Sequence, residues 1–156
     1  FGQARRLTDG GDITIVAISH MAVEALRAKH HLQSVGISAE IIDPVSLSPI
    51  DWYTILASVG KTGRLLVVDN GWLSCGASAE IVAETVERLQ GKRAVTVGRM
   101  GFAPSPCPTT RPLERLFYPN DRTIAARAHQ LVTGGAGSWM PEGGDSAEIT
   151  EFRGPF

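Results

Sequence analysis

The run RLLVVD at residues 64–69 sets four consecutive apolar side chains between an arginine and an aspartate. A half-buried strand alternates apolar and polar residues. An unbroken run this short reads instead as a strand covered on both faces, as at the centre of a parallel sheet. The stretch just before it, SVGKT at 58–62, carries Gly60-Lys61-Thr62, which imitates the end of a phosphate-binding loop. That loop needs Gly-x-x-x-x-Gly-Lys-Ser/Thr placed after a strand and before a helix. Here the position of its first glycine is held by Ile55, and the triplet closes a helical pattern and leads into a strand. A helix C-terminus offers free carbonyls rather than free amides, so no phosphate is cradled there. Gly60 reads as a helix C-cap, and Lys61 as a cation at the negative end of the dipole.

Working outward, DITIVAIS at 12–19, AEIID at 39–43 and RAVTVGR at 93–99 read as three further strands. Between them lie helical patterns. Ala22, Ala25, Ala28 and Leu32 form one face of a helix that Gly36 ends. In LSPID at 47–51, Ser48 is placed to cap a second helix, with Pro49 in its first turn and Asp51 at its positive end. Trp52, Ile55, Leu56 and Val59 give that helix its apolar side. A third helix covers 77–91, with Ala79, Val82, Val86 and Leu89 along one side. Residues 100–112 carry four prolines and read as irregular. A last helix starts near Asp121, carries Ile124, Ala128, Leu131 and Val132, and stops at Gly134. Residues 135–156, rich in glycine and acidic groups, show no period and read as a loosely packed tail, leaving 1–134 as one domain. Strands alternating with helices give an α/β sandwich with a largely parallel sheet. Ligands of such sheets bind at the carboxyl ends of the strands, here Ser19-His20, Asp43-Pro44, Asp69-Asn70-Gly71 and Met100-Gly101.

Composition narrows the function. The 156 residues are 43% apolar and 20% charged, with a formal charge of −1, so no basic surface calls for a nucleic acid or an acidic membrane. No apolar run approaches the length of a membrane-spanning helix. The chain begins at Phe1 with no signal-peptide pattern, which reads as a fragment of a longer protein. Its two cysteines, Cys75 and Cys107, form no Cys-x-x-Cys and fit a cytoplasmic protein with reduced thiols.

Five blocks carry a resemblance: GDITIVAISHMAVEAL, GISAEIIDPVSLSPID, SVGKTGRLLVVDNGW, GASAEIVAETVE and FAPSPCPTTRPLERLFYPN. In order and spacing they resemble the C-terminal domain of transketolase-like thiamine enzymes. Within that family they resemble the beta subunit of the decarboxylating component of 2-oxo acid dehydrogenase complexes of pyruvate, branched-chain or acetoin type. The resemblance runs from about Gly2 to Val132. It implies a three-layer α/β/α sandwich with a five-stranded, mostly parallel sheet and one antiparallel strand. It also implies thiamine diphosphate and Mg in the complete enzyme, none held by this chain alone. Implied partners are an alpha subunit, a second beta subunit and the lipoyl acyltransferase core. Two departures stand out. The sequence from Phe1 does not include the thiamine-facing domain with its activating glutamate, and the tail to Phe156 outlasts the family's usual end, so no contact of a C-terminal carboxylate is carried over.

The candidate residues lie at the strand ends. His20 is either a group near a cofactor or partner, or a helix-start histidine with a local hydrogen bond. Cys75 precedes a helix that can lower a thiol pKa, and reads otherwise as a small buried thiol against Trp72. Asp69, Asn70 and Gly71 read as a turn that serves a ligand or a neighbouring domain. Trp72 is an interface anchor or a core residue. His30, His31 and His129 have no metal-ligand spacing, so no zinc site is expected. No catalytic triad or carboxylate pair is assembled by sequence position. Two functions follow: an assembly domain of a thiamine-dependent enzyme, inactive alone, or a free-standing small-ligand-binding α/β domain. Under the first, Trp72, Phe102 and the Pro-rich loop around Cys107 form a face through which the isolated chain dimerises.

Overall fold

The computed structural model describes residues 1–135 and 138–142. Five strands and five helices follow one another as β1 (Arg5–Thr8), β2 (Ile13–Ala17), α1 (Met21–Ser34), β3 (Ala39–Asp43), α2 (Trp52–Thr62), β4 (Arg64–Trp72), α3 (Ala77–Leu89), β5 (Thr96–Phe102), α4 (Arg111–Phe117) and α5 (Asp121–Thr133). The sheet order is β1-β3-β2-β4-β5. β1 runs antiparallel to β3 and every other pairing is parallel. This is the α/β sandwich, with its one antiparallel strand, that the resemblance implies. β1 itself shows no sequence signal: its four residues, RRLT, are mostly polar and lie at the sheet edge.

The apolar run of β4 is buried throughout, and its side chains alternate between two cores. Leu66 and Val68 join Ile13, Ile15, Ile41, Leu32, Ile124 and Leu131 beneath α1 and α5. Leu65 and Val67 join Val16, Ile42, Ile55, Val59 and Ile81 beneath α2 and α3. On the second face Thr14 is buried, and its hydroxyl meets those of Ser58 at 2.7 Å and Thr62 at 2.8 Å, so the buried polar groups of α2 are satisfied.

Several element ends differ from the sequence reading. Asp51, not Ser48, caps α2: its carboxylate accepts from the Thr54 amide at 3.1 Å and the Ala4 amide at 3.0 Å, tying the N-terminal segment to the helix. Gly60 lies inside α2; the cap is Gly63, at φ 68°, whose amide donates to Val59 at 2.8 Å. α3 turns Ser78, Ile81 and Thr85 inward and leaves Val86 exposed, so its apolar stripe is rotated from the one expected. β4 continues to Trp72, so Asp69-Asn70-Gly71 is strand and not turn. β5 lies three residues later than read, and α4 occupies the end of the proline-rich stretch, with Pro112 in its first turn, where a missing amide costs nothing. Of the stretch read as a loose tail, residues 138–142 return along α5. Trp139 stacks on His129 at 4.8 Å, and the Arg122 guanidinium donates to the Pro141 carbonyl at 3.1 Å. Residues 136–137 and 143–156 lie outside the described residues.

Candidate functional site

The carboxyl ends of β2, β4 and β5 bring most candidate residues to one face. Asp69 is buried there, and its Oδ2 accepts from the Ser78 amide at 3.3 Å. α3 has Gly76 at its N-cap and no side-chain cap, so the Asp69 carboxylate meets the helix at its positive end. The approach is close: a Cβ on Gly76 would stand 2.1 Å from the Trp72 carbonyl and 3.3 Å from Asp69 Oδ2. Asp69 thus holds the β4–α3 connection, while the next residue, Asn70, is exposed.

Beyond it the strand ends form an aromatic cluster. Trp72 meets Phe102 and Phe117 edge-on, each at 5.8 Å between ring centroids. Phe102 and Phe117 lie 4.9 Å apart, and Tyr118 packs edge-on against Phe102 at 5.1 Å and Phe117 at 4.9 Å. Phe117 is 4% exposed, but Trp72 is 48% exposed, and Leu73, Leu113 and Leu116 stand in solvent beside the cluster, Leu116 at 78%. Trp72 is therefore neither a core residue nor fully exposed. Cys75 is exposed, at φ 59°, and is not the buried thiol expected against Trp72, because the left-handed turn that starts α3 directs it outward. Cys107 is exposed too; its Sγ lies 3.5 Å from the Tyr118 hydroxyl, a contact that pushes the phenol pKa up.

His20 lies on the α1 side of the same end. It precedes α1, gives the helix no side-chain cap, and its Nε2 stands 3.8 Å from Glu24 Oε1, too long for a hydrogen bond. Glu24 is buried and occupied: Oε1 accepts from Arg27 at 2.7 Å, and Oε2 from the Asp121 amide at 3.0 Å. With Met21, Glu114, Arg115, Tyr118, Pro119 and Asn120, these two side chains line a cavity of about 350 Å³. Tyr118 joins the cavity to the aromatic cluster. Of the other histidines, His31 pairs with Asp121 at 3.0 Å and His30 contacts the Leu26 carbonyl at 3.1 Å. Among the described residues no three His, Cys, Asp or Glu side chains are grouped to hold a metal ion.

The sequence reading missed Phe117, Tyr118, Leu113, Leu116 and Glu114. The signal for the leucines was present: after Pro112, Leu113, Leu116 and Phe117 recur at helical spacing. The proline-dense stretch before them masked it.

Residues 2–124 match the model of the transketolase C-terminal domain. The chain belongs to that family. Its relatives in the family include subunit beta of acetoin:2,6-dichlorophenolindophenol oxidoreductase from Cupriavidus necator, 37% identical over 135 residues, covering 86% of this chain and 40% of the relative. They also include the mitochondrial pyruvate dehydrogenase E1 component subunit beta of Pisum sativum, 42% identical over 127 residues, covering 81% of this chain and 35% of the relative. The pyruvate dehydrogenase E1 component subunit beta of Staphylococcus aureus is 36% identical over 131 residues, with 84% and 40% covered. Among solved structures, a split-gene transketolase described as an inactive beta4 tetramer superposes with a TM-score of 0.75 at 27% identity, over 85% of this chain and 43% of that one. This transketolase C-terminal domain thus spans about two-fifths of the length of the relatives it matches. No helix among its described residues is long and apolar enough to cross a membrane.

Proposed function

We propose that residues 1–134 are the C-terminal assembly domain of a thiamine diphosphate-dependent 2-oxo acid dehydrogenase beta subunit of pyruvate, branched-chain or acetoin type. The domain binds partners and is not catalytic alone. The observation that carries this reading is the match of over four-fifths of the chain, at 36–42% identity, to dehydrogenase and oxidoreductase beta subunits. The surface supports it. Trp72 stands half-exposed on the aromatic cluster, with Leu73, Leu113 and Leu116 exposed too, and exposed large apolar side chains mark sites of association. The partners that fit are an alpha subunit, a second beta subunit and the lipoyl acyltransferase core, to whose lipoyl arm the complete enzyme passes the acyl group. Exposed free thiols at Cys75 and Cys107 suit the reducing cytoplasm.

Thiamine diphosphate and Mg belong, on this reading, to the complete enzyme, and the isolated chain neither binds them tightly nor decarboxylates a 2-oxo acid. Isothermal titration of the chain with thiamine diphosphate and Mg is expected to give no saturable heat. A Kd near about 1 µM, some 8 kcal/mol of binding, would contradict the proposal. The second reading, a free-standing small-ligand-binding domain, is favoured by the cavity beside His20.

A further inference from the structure

Past the end of α5 the chain turns back on itself. Gly134 and Gly135 stand at φ 70° and 85°, and the Gly135 amide donates to the Gln130 carbonyl at 2.9 Å. Left-handed positions of this kind suit glycine and let the chain leave the helix sharply. Residues 138–142 then return along α5, meeting His129 first and Arg122 afterwards. These two helical residues are seven apart in sequence, so they share one flank of α5, roughly 10 Å apart along its axis.

Flank and segment fit as a seat and its occupant. The Trp139 ring lies 4.8 Å from the His129 ring with 34° between their planes, and it packs against the core beneath α1 and α5. Pro141 is buried, and its carbonyl accepts from the Arg122 guanidinium at 3.1 Å. Met140 between them is half-exposed, so alternate residues, Trp139 and Pro141, hold the segment. The segment is neither helix nor strand, and its recognition rests on one ring, one proline and one carbonyl rather than on a sheet ladder. The connection 134–137, GGAG, keeps it beside its seat at an effective concentration in roughly the millimolar range. One ring contact, one buried proline and one hydrogen bond give an affinity of about that order, so the seat is filled in cis but reversibly.

We propose that the Arg122–His129 flank of α5 is a docking seat for a Trp-x-Pro segment, filled in cis by residues 138–142 and open to the same segment from a second copy of the chain. Three of its four contact residues, His129, Trp139 and Pro141, lie beyond residue 124, where the match to the family model ends. The inference does not rest on the dehydrogenase reading.

Fluorescence anisotropy of a labelled peptide of residues 136–144 tests it, the peptide standing for the segment of another copy. The receptor is the full chain carrying Trp139→Ala, which vacates the seat. Pro141→Gly takes its place if thermal unfolding shows the Trp139→Ala chain not to be folded. Saturable binding to the receptor is expected with a Kd below about 1 mM, and at least about threefold weaker binding to the wild-type chain, whose seat is filled. His129→Ala added to the receptor, or Trp139→Ala in the peptide, is expected to weaken binding at least about tenfold. A folded receptor that gives no saturable binding would overturn the proposal. So would a wild-type chain that binds the peptide as tightly as the receptor, or binding that either substitution leaves unchanged.

Discussion

Glu40 lies on β3 with its side chain fully buried, and two cations attend its carboxylate: Lys61, whose ammonium bonds it, and Arg6 at 3.6 Å. Burial pushes the carboxyl pKa up, but the bond from Lys61 and the charges of Lys61 and Arg6 outweigh it, and the pKa ends below the usual value. Asp51, bonded by the Ala4 amide and the Thr54 hydroxyl, and Asp12, bonded by the Ser38 hydroxyl and amide, are lowered as well. Groups whose folded pKa lies below the unfolded one stabilise the fold fully above the ordinary carboxylate range, and that stability is lost as pH falls through the folded values. Urea denaturation followed downward from neutral pH is therefore expected to show stability falling below about pH 4; a flat profile there would contradict this account. Lys61→Ala leaves Glu40 buried with only Arg6 as a cation, and is expected to cost about 2–3 kcal/mol at neutral pH and to start the acid loss at a higher pH. A cost under about 0.5 kcal/mol would show the pair to behave as an ordinary surface one.

At the scale of elements, the end of α2 separates two glycines that look alike in sequence. Gly60 sits in the helix with open space around its Cβ position, so Gly60→Ala is expected to stabilise by about 0.5–1 kcal/mol. Gly63 is at φ 68°, and a Cβ there meets the Arg93 guanidinium at 2.8 Å, so Gly63→Ala is expected to destabilise by about 1 kcal/mol or more. Chemical denaturation of both variants checks the opposite signs. This pair also shows what was legible. β2, β3 and β4 stood out because buried β-branched runs need both-face cover, and that signal is local. The choice of cap was not local: Asp51 displaced Ser48 because it also receives the Ala4 amide, from a residue 47 positions away. β1 was illegible for the same reason, since a polar edge strand is defined by what it pairs with; α4 had a local signal in Leu113, Leu116 and Phe117, which the proline-dense stretch before it masked. Of the aromatic cluster, Trp72 and Phe102 were singled out because they lie outside the periodic core faces. Phe117, Tyr118 and Glu114, which connect the cluster to the cavity, were not, because α4 was not read as an element.

For the whole molecule, two apolar cores on either side of one sheet supply an independent unit. Calorimetry of the chain is expected to show one cooperative transition; a broad, non-cooperative melt would show that its core is incomplete without partners. The outer face at the strand ends is a different matter. Trp72 stands half-exposed on a cluster whose inner member, Phe117, is buried, and Leu73, Leu113 and Leu116 are exposed as well. A symmetric dimer is the commonest way for one chain to cover exposed apolar side chains. Sedimentation equilibrium of the purified chain and of Trp72→Ala measures this face directly. The account predicts a dimer with a Kd of about 1 µM, weakened by more than about 1 kcal/mol in Trp72→Ala. A wild-type chain that stays strictly monomeric at about 100 µM, a hundredfold above that Kd, would contradict it.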